Sequence, residues 1–141
     1  MPAASPSAVR AQIASGTTGF LYLLQGEDEV EKTGLVHEFE DLVEEGLRAF
    51  NVERIHAGEA TSGDRLAATV AGLAAAVRTL PMMVPRRVVI VLQAEGILVP
   101  KRESEAASRA LDELESLLRQ DHPQTTLVLV AGALDRRSRM F

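Results

Sequence analysis

Cysteine is absent from this 141-residue chain, which excludes disulfides, thiol catalysis and thiolate-bound zinc. Tryptophan is absent as well and aromatics make up only 4% of the residues, so Ala, Val, Leu and Ile must build the core. Such a core suits helices packed on a buried sheet. The few histidines, His37, His56 and His122, lie far apart and share no metal-ligand spacing, so each reads as a surface or hydrogen-bonded core residue. No apolar run reaches the ~20 residues a membrane span needs. The longest, Leu66 to Val77, is Ala-rich and broken by Thr69 and Gly72. Met1 to Ser7 lacks the basic and apolar regions of a signal peptide, and a cytoplasmic location is the expectation. With a formal charge of −5 the chain has no broad basic face for gripping DNA, although a local basic patch is compatible with it.

What is present reads as one globular domain of ordinary size, 46% hydrophobic. Ser7 to Ser15 forms a short helix closed by Gly16-Thr17-Thr18-Gly19. Phe20 to Leu24 is a continuous apolar run, the pattern of a strand buried on both faces of a parallel sheet. The spacing of Leu35, Val36, Phe39, Leu42, Val43, Leu47 and Phe50 predicts one helix from about Asp28 to Phe50, its acidic side solvated. A second strand spans Asn51 to His56. A helix follows Thr61-Ser62-Gly63-Asp64, and Arg86 to Gln93 is the clearest strand of all. Gly96 to Pro100 reads as a loop, Arg102 to Arg119 as a helix and Thr126 to Ala131 as the fourth strand. This alternation predicts a three-layer, P-loop-like α/β domain with a mainly parallel sheet of at least four strands. Leu134 to Phe141 looks like the opening of another helix, and the fold needs a further strand, so the chain is expected to be part of a longer protein.

After the first strand, Gly26, Lys32 and Thr33 stand at the positions of a phosphate-binding loop, G-x-x-x-x-G-K-[ST]. Glu31 replaces the second glycine, where the backbone must approach a phosphate, and Glu27, Asp28 and Glu29 crowd the same turn with carboxylates. The later strand ends in Gln93 where a P-loop enzyme places its magnesium-holding Asp, and Glu95 lies farther along. The loop is therefore read as degenerate, with no nucleotide, metal or other cofactor and no catalytic residue.

Between the second long helix and the third strand lies Thr79-Leu80-Pro81-Met82-Met83-Val84-Pro85-Arg86-Arg87. Two readings are open: a buried linker whose Met side chains fill a gap, or a proline-stiffened tip whose polarizable Met side chains anchor a partner.

Four segments give the chain a resemblance to a known family. They are Leu21-Tyr22-Leu23-Leu24-Gln25-Gly26-Glu27-Asp28, Phe50-Asn51-Val52-Glu53-Arg54, Arg78 to Val91 through Pro81-Met82-Met83, and Thr126 to Val130 with Leu134-Asp135-Arg136-Arg137-Ser138. In order and content they resemble the N-terminal domain of the delta subunit of bacterial DNA polymerase III, the clamp-loader component that opens the sliding clamp. The resemblance implies an AAA+-type domain over residues 20–141, preceded by an N-terminal extension with a short helix over 1–19, and followed in the whole protein by lid and collar domains. It implies no intrinsic activity, in a subunit of a DNA-directed DNA polymerase (nucleotidyltransferase) complex whose sister subunits use ATP. Met82 and Met83 match a pair of bulky apolar residues that enters the clamp's hydrophobic pocket, with Met where Leu or Phe is usual and with Leu80 and Val84 as supporting contacts. The implied partners are the sliding clamp (beta subunit), other loader subunits and, through the assembled complex, DNA. Arg136, Arg137 and Arg139 are either a solvated helix start or a contact to loader subunits or DNA. The alternatives are a P-loop-type nucleotide-binding ATPase domain, a receiver domain holding Mg²⁺ at Glu27 and Asp28, and a doubly wound scaffold of unknown partner.

Overall fold

Four strands pair in parallel to form one sheet: β1 (Leu21–Leu24), β2 (Val52–His56), β3 (Arg87–Leu92) and β4 (Thr125–Val130), in the order β1-β4-β3-β2. The computed structural model describes residues 5–58, 60, 62–98 and 104–132. Arg136, Arg137 and Arg139, and the helix expected from Leu134, lie outside the described residues.

Successive strand residues face opposite sides, and on the two central strands both sides are buried. Val88, Ile90 and Val128 meet helices α1 (Pro6–Ser15) and α2 (Glu29–Glu40) through Val9, Leu35, Val36 and Phe39. Val89, Val91, Leu127 and Leu129 meet α4 (Gly63–Arg78), α5 (Glu95–Leu98) and α6 (Glu105–Arg119) through Leu66, Leu73, Val77, Ile97, Leu114 and Leu117. The result is the expected three-layer α/β domain. Among the described residues no helix is long and apolar enough to cross a membrane.

Side-chain caps start the long helices: Ser5, Asp28, Ser62 and Ser104 each accept from a backbone N–H three residues on. Gly16 closes α1 with a positive φ of 72°, a conformation glycine adopts freely.

Two expectations are corrected. The helix predicted from Asp28 to Phe50 breaks after Glu40, and a 3₁₀ turn (Glu45–Leu47) and the short α3 (Arg48–Asn51) complete the segment. A continuous helix of that length would run about 34 Å, well beyond the roughly 20 Å covered by strands of this size. The break turns Val43 into the core, and Arg48 holds it by donating from Nε to the Val43 carbonyl at 2.8 Å and pairing with Asp41 at 3.0 Å. Phe50, assigned by spacing to the buried face, is instead exposed. The loop expected over Gly96 to Pro100 begins as a helical turn, α5, which seats Ile97 and Leu98 in the core. Gly96 is required there, because a Cβ would lie 2.0 Å from the Ala57 carbonyl oxygen.

Candidate functional site

The segment read as a degenerate phosphate loop follows β1. Gly26 takes φ 116°, which no other residue adopts without strain, and Asp28 caps α2. Lys32, at the position of the phosphate-binding lysine, is buried. Its Nζ donates to the carbonyls of Gly26 at 2.7 Å and Ala131 at 2.9 Å, and pairs with Glu29 at 2.8 Å. An ammonium has three donors, and these partners engage all of them. Glu95 acts in parallel, its Oε2 accepting from the Gly132 N–H at 2.6 Å. The two side chains nearest in kind to a triphosphate and metal machinery thus both fasten the backbone emerging from β4. Gln93 is exposed with φ 53°, and its amide packs on Gly58, where a Cβ would leave it no room. Thr33 is exposed.

Glu31 does not stand free in the loop. Its carboxylate accepts from Arg10 Nη1 at 2.6 Å, and Glu38 accepts from Arg10 Nε at 2.7 Å, so one guanidinium clips α1 to α2. The hydrogen bond that Arg10 donates to Glu38, then that to Glu31, raises the Arg10 pKa above its ordinary value. The Tyr22 hydroxyl donates to the Gln12 side chain and adds a second tie to α1. His37 and His56 are exposed and His122 packs on Phe20, so the histidines stay apart. Among the described residues no three acidic or His side chains form a metal-holding cluster.

The second feature is the connector before β3. Leu80 is 71%, Met82 54% and Met83 84% exposed, so this segment is a projecting tip and the buried-linker reading is set aside. Val84 differs from them: half-buried, it packs against the core cluster between the sheet and helices α1 and α2 and roots the tip there. Met83 has φ 65°, a left-handed conformation that costs a non-glycine residue about 1 kcal/mol or more.

Asn51, fully buried at the end of α3, holds the tip in place. Its Oδ1 accepts from the Met82 N–H at 2.6 Å, while Nδ2 donates to the Met82 carbonyl at 2.8 Å and to the Leu47 carbonyl at 2.9 Å. The clasp brings Phe50, 57% exposed, into the neighbourhood of the tip. Of the five large apolar side chains exposed among the described residues, four belong to these two segments: Phe50, Leu80, Met82 and Met83. The fifth is Val30.

Sequence reasoning missed Asn51 and the exposure of Phe50. The available signal was a polar, turn-favouring residue at the junction of a helical run and a strand. The paired arginines at the start of β3 are structural. Arg86 donates to the Thr125 carbonyl at 2.9 Å, and buried Arg87 donates to the Phe50 carbonyl at 2.8 Å.

Comparisons with known proteins agree with this architecture. A DNA clamp loader delta protein from Bacillus subtilis superposes with a TM-score of 0.70 at 24% identity, covering 96% of this chain and 38% of that one. A DNA polymerase III gamma subunit-related protein from Thermotoga maritima gives 0.62 at 19% identity, covering 92% of this chain and 40% of that one. This chain therefore spans about two fifths of the length of these structures, and the likeness concerns the fold. No curated protein matches. The family model described as DNA polymerase III, delta subunit, matches residues 22–141, a span that runs from β1 through the Lys32 strut and the methionine tip. On that match, the chain belongs to the DNA polymerase III delta subunit family.

Proposed function

We propose that this chain is a non-catalytic clamp-loader domain that binds the sliding clamp and helps to open it during DNA replication in the cytoplasm. Met82 and Met83 enter an apolar pocket of the clamp, Leu80 lies at the rim, and Val84 anchors the tip from within. Residues 20–141 act as the AAA+-like domain, with lid and collar domains following in the whole protein, where other loader subunits and DNA are met. Arg136, Arg137 and Arg139 belong to those further contacts. ATP acts in sister subunits, because here Lys32 and Glu95 are engaged by the protein's own backbone.

The observation that carries the reading is a pair of exposed methionines on a fixed turn at the root of a central strand. Such a tip presents apolar surface without having to be ordered first, which lowers the entropic cost of docking. Opening follows by population shift: a ring conformation with a strained subunit interface is stabilised by as much as the tip prefers it over the closed one. The test is a titration of a purified bacterial sliding clamp with this chain and with the double variant Met82→Ala, Met83→Ala. Binding by the parent and its loss in the variant, with unchanged circular dichroism, is expected. Equal affinity of the two would refute the site.

A further inference from the structure

The structure assigns to Asn51 a role as the positioning residue of the Met82–Met83 tip, holding it in the projecting conformation that a clamp pocket would receive. This rests on the docking reading above and adds a residue from a different segment, 31 positions away in sequence.

Three observations carry it. First, Asn51 is fully buried, yet its amide serves main chain alone: both polar groups of Met82, and the Leu47 carbonyl. Because Met82 offers one donor and one acceptor, only one orientation of the amide satisfies both, so the Oδ1 and Nδ2 positions follow from the partners. The clasp imitates one rung of a sheet ladder where the chain has no strand. Second, the next residue, Met83, has φ 65° and is the most exposed methionine of the tip. A non-glycine residue keeps that conformation only where its surroundings over-determine it, and the clasp on Met82 supplies the constraint from the N-terminal side, as packed Val84 does from the other. Third, the tip side chains belong to neither core cluster. Leu80, Met82 and Met83 are exposed, so the backbone clasp is the feature that sets where they point.

Freeing the tip lets it populate conformers that do not fit a pocket, and apparent affinity falls by the fraction that still does. Asn51→Ala is expected to weaken binding of the 141-residue chain to a purified bacterial sliding clamp by about tenfold or more. In the Met82→Ala, Met83→Ala background the same substitution should have no further effect, since the side chains it positions are gone. Amide hydrogen exchange supplies a readout that a merely stabilising residue would not give. In the wild type the Met82 N–H is protected although its side chain is exposed, and in Asn51→Ala that protection is lost while Val88 to Val91 in β3 keep theirs. Asn51→Asp, which would bury a carboxylate against the Met82 and Leu47 carbonyls, should weaken binding at least as much as Asn51→Ala. The wild-type measurement requires no variant to fold. Wild-type-like affinity of Asn51→Ala, an unprotected Met82 amide in the parent, or parallel loss of protection in β3 would each overturn the assignment. A parent chain that does not bind the clamp overturns the docking reading and the partner with it, while Met82 exchange decides separately whether Asn51 holds the tip.

Discussion

Replacing Lys32 by Met keeps most of the side chain's volume and removes its ammonium, which separates two roles for this residue. As a strut, Lys32 gives charge-assisted hydrogen bonds to the carbonyls of Gly26 and Ala131. Bonds of that kind contribute about 1.5–3 kcal/mol each, and the carbonyls would be left without this donor. Removing a buried ammonium also relieves its desolvation, so the net loss should be about 2–4 kcal/mol. The pair with Glu29 adds little, because that carboxylate is mostly in water. For a domain of 141 residues, with about 2.1 cal/mol/K of unfolding entropy per residue, the melting midpoint should drop by roughly 7–13 °C. Urea unfolding followed by circular dichroism, with and without millimolar Mg-ATP, measures both roles at once. The strut predicts a large loss of stability in the variant and no effect of nucleotide on either protein. A variant as stable as the parent, or a parent whose midpoint rises with Mg-ATP while the variant's does not, would return Lys32 to phosphate binding.

Burying the exposed parts of Met82 and Met83 is worth about 2–4 kcal/mol together, from about 1.5–3 kcal/mol per fully buried side chain. The double alanine variant should therefore bind the clamp roughly thirtyfold to several hundredfold more weakly by calorimetry. Phe50→Ser should leave the free energy of urea unfolding within about 0.5 kcal/mol of wild type, as expected of an exposed residue; a loss several times larger would mean that the ring is in the core. Arg10→Ala should speed amide exchange in α1 at low salt, and the difference from the parent should shrink in 1 M salt, because the ion pairs to Glu31 and Glu38 are partly in water.

Three strands, β1, β3 and β4, were legible because each is a short, largely apolar run, the pattern of a sheet covered on both sides, whereas β2, Val52-Glu53-Arg54-Ile55-His56, was read from Val52 and Ile55 alone. β3 and β4 appear within one residue of their expected bounds. The helix from Asp28 was misjudged because periodicity records which residues can share a face, whereas the length of the sheet decides how far that face can be used. Phe50 kept the period and lost the contact. At the loop after β1, the departures from a working P-loop were readable, but the distant ties of Lys32 and Glu95 were not: the Ala131 carbonyl lies 99 residues from Lys32 and the Gly132 N–H 37 residues from Glu95, and main-chain groups leave no trace in composition. The exposure of Met82 and Met83 was one of two open readings, decided by a clasp whose donor and acceptor lie in another segment.

The tip continues through Arg86 directly into β3, an interior strand bonded to β2 on one side and β4 on the other. A pull on the methionines along that strand loads both ladders in shear, so many bonds resist together, whereas an edge strand can be peeled one bond at a time. Arg86 and Arg87 spread the same load sideways, to Thr125 and to Phe50. A force applied at this corner is therefore shared among three strands rather than borne by one.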